Sequence, residues 1–323
     1  MIRTRATELF GIDHPVFLGG MGAATGADLV AAVSAAGGLG IVGCAGRSRE
    51  WILEAARAIR AKTERPFGMN LLLFEVDAAA FEAVLEARPR VFSTGWPWPD
   101  QDLRPFFSQA RDAGSLVLHM VSTVSEAIRA AEAGADAIVA QGTEGGGHVG
   151  VMATMALVPQ VVRAVSPVPV LAAGGIATGQ GLAAALALGA EGALLGTRFL
   201  ATPEAPVAAG FKQAVLASDG HDTLLTEIPD IARGRVWPGA WSRVVRNRFI
   251  EMWSGREAEL RAHRSEAGAA MVRAFQEGDA SGAALFIGQE AGLIDALEPA
   301  AEIVLRLVRE AEETIERLRS MLR

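Results

Sequence analysis

One cysteine, no basic excess and no long apolar run set the first limits on this chain of 323 residues. A lone Cys44 cannot form an intramolecular disulfide. Within the apolar run GIVGCAG it reads as a small packed hydrophobe rather than a nucleophile, which sets aside thiol and zinc chemistry and leaves no metal site to expect. A formal charge of -7 and a pI near 5.4 argue against nucleic acid or an anionic membrane surface as partner, since both attract a basic face. No stretch of about 18 apolar residues free of charge and glycine is present, as a membrane span would require. The opening MIRTRATELFGIDHP lacks the apolar core of a secretory signal, so a cytoplasmic, soluble protein is expected. Half the residues are hydrophobic, enough for a large core in one big α/β barrel or two ordinary domains.

What the chain does have is a rhythm. AVSAAGGLGIVG (32–43), AAEAGADAIVAQG (130–142) and ALALGAEGALLG (185–196) share one design: an alanine-rich helical run, a glycine, a short apolar strand and a second glycine. Gly37, Gly134 and Gly189 suit the left-handed position that ends a helix, and the apolar runs after them suit strands buried on both faces of a parallel sheet. Further strands fit at 15–19, 66–72, 91–94, 116–119 and 168–173, alternating with helical stretches such as SREWILEAARAIRAKT and STVSEAIRAAEAG. Eight β/α units before residue 197 predict a (β/α)8 barrel, with a doubly wound open sheet as the alternative. The rhythm stops after Phe199. Residues 203–284, with WSRVVRNRFIEMWSG and AELRAHRSEAGAAMVRAFQEG read as helical, predict a small helical substrate-side domain inserted after a barrel of residues 1–202. Residues 285–323 then return a glycine-bearing loop and a closing helix.

Three loops carry more glycine than a turn needs: GGMGAATG (19–26), QGTEGGGHVG (141–150) and AAGGIATGQG (172–181), the last followed by GTRF at 196–199. In a barrel these lie at the carboxyl ends of the strands, where active sites form. Gly174, Gly175, Gly196 and Thr197 offer adjacent N–H groups and a hydroxyl, which suits a phosphate; the two glycines could instead only let a helix pack closely. Gly19, Gly20 and Met21 could lie flat against a planar ring, or form a tight turn. Asn70 is an amide in an apolar strand, fit to bond a ring edge or to cap the next turn. His148 is the one histidine embedded in a glycine cluster. It is either structural or, with an ordinary pKa near 6.5, a group that exchanges a proton with substrate near neutral pH.

The segments PVFLGGMGAATGADLVAAVSAAGGLGIVG, AQGTEGGGHVG and VPVLAAGGIATGQGLAAALALGAEGALLGTRFLAT resemble the nitronate monooxygenase (2-nitropropane dioxygenase) superfamily of FMN-dependent barrel enzymes. That superfamily includes the type II enoyl-acyl-carrier-protein reductases and NADH:quinone reductases. The resemblance runs from residue 3 to the GQEAGLID loop at 288–295. It implies FMN with its phosphate at Gly174, Gly175, Gly196 and Thr197, and its ring near Gly20, Met21, Gly22 and Asn70. His148 would stand at the reactive face as the catalytic residue, with Gln141, Gly146, Gly147, Ala173 and Gln289 close to the cofactor. Some positions depart from the pattern. This chain has Gly-Gly-Met where the nitronate enzymes have Ala-Pro-Met, and it has no tyrosine where those enzymes place tyrosines around the substrate. Leu18 stands where reductase branches often carry glutamine, and Met120 follows His119 where quinone-reductase relatives carry lysine. The resemblance implies oxidation of alkyl nitronates by O2 to a carbonyl compound and nitrite. The alternative is an NAD(P)H-dependent FMN reductase acting on an enoyl thioester or a quinone, and a third reading is a non-catalytic flavin-binding barrel. The expected partner is a small-molecule substrate; an apolar patch on the helical segment would suit a homodimer.

Overall fold

In the computed structural model residues 2–322 are described. Among them the chain forms eleven strands: β1 (Val16–Leu18), β2 (Gly40–Gly43), β3 (Phe67–Leu72), β4 (Val91–Gly95), β5 (Leu116–Val121), β6 (Ala137–Gln141), β7 (Gly147–Val149), β8 (Val170–Ala173), β9 (Ala193–Leu195), β10 (Thr223–Thr226) and β11 (Trp241–Val245). Eight of them, in the order β1-β9-β8-β6-β5-β4-β3-β2, make one sheet whose pairs are all parallel. The two ends meet through a bridge between Phe17 and Leu39, with Leu18 N–H donating to the Leu39 carbonyl at 2.9 Å. The sheet is therefore a (β/α)8 barrel, as the rhythm predicted.

Period-two alternation builds its two layers. Phe17, Ile41, Val91, Leu118, Val139 and Leu171 point inward to one buried cluster, which the N-terminal helix Arg5–Phe10 plugs from below with Ala6 and Phe10. The neighbours Val16, Leu18, Val42 and Ile138 point outward into the larger cluster beneath the helices. Those helices begin where their sequences offer a cap. Ser48 and Asp77 cap the helices Arg49–Arg60 and Ala78–Ala87, and Thr123 forms a reciprocal box with Glu126 at the start of Val124–Ala133. Gly37, Gly134 and Gly189 all have φ between +89° and +97°, the left-handed conformation expected of them. Cys44 is fully buried and its thiol is pushed up to about 12 by that burial, which makes it a core residue and a poor nucleophile.

The place of the eighth barrel helix is filled late in the chain. Helix Ala300–Ser320 lies across the helix Gly179–Ala187, so closely that a Cβ on Gly179 would sit 2.3 Å from that of Glu310. Residues between Phe199 and this helix form a covering segment with its own cluster around Ile231, Val244, Ile250 and Met271. That segment is mainly helical, and it also carries strands. Trp241–Gly255, expected as one helix, splits into β11 and the helix Arg248–Trp253. Pairing overrides the helical spacing there: β11 is the middle strand of an antiparallel ribbon, β10-β11-β7, and the β-branched Val244 and Val245 suit it. Among the described residues no helix is long and apolar enough to cross a membrane.

Candidate active site

A cavity of about 500 Å³ opens at the carboxyl ends of the barrel strands and runs under the covering segment. The three glycine-rich loops meet in it. The first contributes Gly20, Met21 and Gly22, the second Gln141, Gly146, Gly147 and His148, and the strand ends Ala173, Gly174, Gly196 and Thr197. Asn70 joins them from β3, donating its amide to Ser93 Oγ at 3.1 Å. Gly175 follows Gly174 but is not itself part of the cavity lining.

Several of these positions need glycine for reasons that can be read off the geometry. A Cβ on Gly20 would fall 2.6 Å from that of Asn70, so the first loop lies directly against the Asn70 side chain. Gly174 has φ +92° and brings its backbone to within van der Waals reach of the Gly142 carbonyl, where a Cβ would be 2.7 Å away. Gly146 is explained by packing of its own: a Cβ there would meet the backbone of Ile287 and Gly288 at 2.5 to 2.6 Å. Gln289 is exposed and does not line the cavity, while its neighbour Glu290 does and is 5 % exposed. The side chain of that loop that meets the site is thus Glu290, one residue from the expected one. Met120 also lines the cavity, whereas His119 turns into the core beside Phe107, where burial holds its pKa down at about 3.

The ribbon positions His148. In β7 it is the register partner of Ser242 in β11, and the helix Ile228–Arg233, which links the other two strands, brings Asp230 alongside. His148 Nε2 lies 2.9 Å from Asp230 Oδ1 and 3.0 Å from Ser242 Oγ, and Ser242 Oγ donates to Asp230 Oδ2 at 2.8 Å. A carboxylate only accepts, and the single serine hydrogen is directed at it, so the proton on Nε2 belongs to the imidazole. The neutral ring then carries its lone pair on Nδ1. Trp237 stacks on the ring with centroids 3.4 Å apart and planes 10° from parallel, fixing its orientation. Burial lowers the His148 pKa; the hydrogen bond and charge of Asp230 oppose this, and Arg233 and Arg235 add to it. His148 is therefore a neutral, oriented base at pH 7.

The cationic side chains of Arg233 and Arg235 also line the cavity. Arg235 Nη1 is 3.5 Å from Glu75 Oε1. Arg233 lies over the Phe286 ring at 5.5 Å, and Asp230 is the carboxylate that acts on it through space, with no ion pair to it within 4.0 Å among the described residues. Neither Asp230, Ser242 nor these arginines was singled out by the sequence. They lie 82 to 94 residues from His148 in a segment without glycine clustering, and only the ribbon brings them together. Among the described residues no group of three or more His, Cys, Asp or Glu could hold a metal ion.

The cavity wall carries polar groups that make no hydrogen bond within the protein. Gln141 Oε1 is buried without a hydrogen-bond partner, no donor among the described residues reaches the Asn70 side-chain carbonyl, and the Thr197 hydroxyl and the N–H of Gly175 lie near the Glu290 carboxyl at the cavity's end. Known proteins carry the same framework. The chain is 36% identical to FabK from Thermotoga maritima over 99% of this chain and 100% of that one, with a TM-score of 0.89. It is 31% identical to a nitronate monooxygenase of Paraburkholderia phytofirmans over 96% of each. It is 39% identical to the (3aS,4S,5R,7aS)-5-hydroxy-7a-methyl-1-oxo-octahydro-1H-indene-4-carboxyl-CoA dehydrogenase of Mycobacterium tuberculosis, over 77% of this chain and 68% of that protein. The family model described as nitronate monooxygenase matches residues 3–83 and 77–310, which take in every loop of the site and the ribbon that holds His148. A barrel with these loops, matched over nearly its whole length, makes this chain an oxidoreductase of the nitronate monooxygenase family.

Proposed function

We propose that the chain is an FMN-dependent, nitronate monooxygenase-like enzyme that oxidises alkyl nitronates with O2 to a carbonyl compound and nitrite. The observation that carries this reading is His148, neutral and pinned through Nε2 by Asp230 and Ser242, with the cations of Arg233 and Arg235 beside it. A base of this kind takes a proton from the carbon next to a nitro group, and the neighbouring guanidinium groups favour the nitronate anion that results. Gly20, Met21 and Gly22 would lie along the ring of the cofactor, Asn70 and Gln141 would bond its edge, and Gly174, Gly175, Gly196 and Thr197 would take its phosphate. FMN bound there supplies the electron acceptor that the side chains lack. Trp237 covers one face of the His148 ring and Phe286 packs nearby, which limits the access of water to it.

A second feature favours a different acceptor. Beyond the glycine loops the cavity continues along Phe211 and Val215 of the helix Ala209–Ala217 and Met271, Val272 and Phe275 of the helix Arg264–Glu277. An apolar arm of this kind suits the tail of an enoyl thioester or a quinone, and the likeness to FabK and to a CoA dehydrogenase supports an NAD(P)H-dependent reductase. Anaerobic stopped-flow mixing of the FMN-loaded protein separates the two. Bleaching by ethyl nitronate or propionate 3-nitronate alone is the expected result; bleaching by NADH or NADPH alone, with none by nitronates, overturns the first reading in favour of the second.

A further inference from the structure

Glu290 occupies the converging point of the phosphate donors. It sits in the short turn Gln289–Leu293 that follows Gly288, lines the cavity and is 5 % exposed. The Thr197 hydroxyl and the Gly175 N–H both face its carboxyl. Thr197 Oγ1 already accepts from Gly288 N–H at 2.9 Å, which leaves its own hydrogen free for an anion at this point. The carboxyl folds back over Gly288, where a Cβ would lie 2.0 Å from Glu290 Oε2, and that oxygen has no hydrogen-bond partner. A buried carboxyl with an orphaned oxygen thus stands beside two of the groups assigned above to an incoming phosphate.

We propose that Glu290 is a proton-linked competitor for the phosphate cradle: binding of a phosphate-bearing flavin takes up one proton at Glu290, so cofactor retention weakens as the medium becomes alkaline. The proposal rests on the FMN reading above. Two anions cannot share the Thr197 hydroxyl and the Gly175 N–H, whereas a neutral carboxyl can turn its O–H toward a phosphate oxygen and become a donor itself. Burial raises the Glu290 carboxyl to about 7, against the opposing pull of its own N–H, Thr197, Gly175 and Arg243. Arg243 on β11 is the cation facing it, itself bonded to the Thr143 carbonyl at 2.8 Å and to Thr223 Oγ1 at 3.1 Å; Glu144, packed against Gly175, is the other charged group, and it acts on Arg243.

The test is a fluorescence titration of flavin-free protein with FMN and, separately, with riboflavin, which lacks the phosphate, between pH 7 and 9. With one proton linked to binding, the Kd for FMN rises about tenfold per pH unit once the carboxyl is ionised, about 50-fold over the interval. Riboflavin shows no such slope. In Glu290→Gln, whose amide is a permanent donor, FMN binds more tightly at pH 9 than in the unaltered protein and with little pH dependence. FMN affinity that stays flat with pH in the unaltered protein, or an equal slope for riboflavin, overturns the proposal while leaving the flavin reading intact. An equal slope in Glu290→Gln does the same. If neither FMN nor riboflavin binds at any pH, the flavin reading falls and this proposal with it.

Discussion

Replacing Asp230 by Asn tests the chemistry assigned to His148 without removing the ring. Asp230 accepts from Nε2–H at 2.9 Å and from Ser242 Oγ at 2.8 Å. An asparagine keeps one acceptor oxygen and turns an NH2 group toward the other partner, so one of the two bonds is reversed or lost and the other is no longer charge-assisted. A hydrogen bond to a charged group contributes about 1.5–3 kcal/mol. If that energy holds the ring in the reactive tautomer, deprotonation slows by roughly 10- to 150-fold. Removing the carboxylate also removes the influence that raises the His148 pKa, leaving burial, Arg233 and Arg235 to pull it lower still. The assay compares kcat/KM for neutral nitroethane and for preformed ethyl nitronate from pH 5 to 7.5. In the unaltered protein the base works only when neutral, and its pKa lies below 6.5, so the nitroethane rate is level near pH 7 and falls as the pH drops below the ordinary histidine value. Asp230→Asn should lose activity on nitroethane and retain it on the nitronate, where no proton need be abstracted. Equal losses on both substrates, with an unchanged melting temperature, would refute the role of His148 as base. So would no loss on either.

Three further outcomes follow from the packing. His119 is fully buried with a pKa of about 3, so the unfolded chain takes up a proton near 6.5 that the folded chain refuses; stability is fully present above pH 6.5 and falls below it, by about 2 kcal/mol at pH 5. His119→Leu should flatten that part of the urea-midpoint profile, and an unchanged slope would show that other groups set it. Arg198, 1 % exposed, is paired with Glu298, which also takes Arg306 at 2.7 Å. Glu298→Ala should cost about 3 kcal/mol in urea unfolding because it strands a buried cation, and Arg198→Leu combined with Glu298→Leu should recover most of the loss; a single-variant cost under about 1 kcal/mol would contradict this. Gly20→Ala places a methyl group 2.6 Å from the Asn70 Cβ and must displace the Asn70–Ser93 bond, with an expected cost of about 1–3 kcal/mol and weaker FMN binding. Unchanged melting and unchanged flavin titration would place that loop away from the cofactor.

The difference between what was legible in the sequence and what was not is a difference in range. Each barrel unit is a local object: Thr123 caps a helix, Gly134 ends it, and Ala137–Gln141 follows as a strand, all within 19 consecutive residues of sequence. Spacing and residue type suffice to read such a unit, and parallel strands buried on both faces leave a strong apolar signature. The loops were legible for the same reason, since their glycines answer to close contacts at the strand ends, as Gly20 does against Asn70. His148 could be found in its loop, but its chemistry could not, because its tautomer is set by Asp230 and Ser242 across an antiparallel ribbon whose strands are short and have no apolar alternation of their own. The three residues GHV look like loop until Ser242 and Arg243 pair with them, and WSRVV looks helical for as long as its partner strands are unknown. Glu290 was missed for a further reason. A turn of 3-10 helix rotates each successive side chain by about 120°, so a one-residue error moves the assignment from solvent to the cavity. Local pattern thus locates a cavity-lining loop of this kind, while the protonation of the histidine inside it depends on contacts contributed by the segment that covers the barrel.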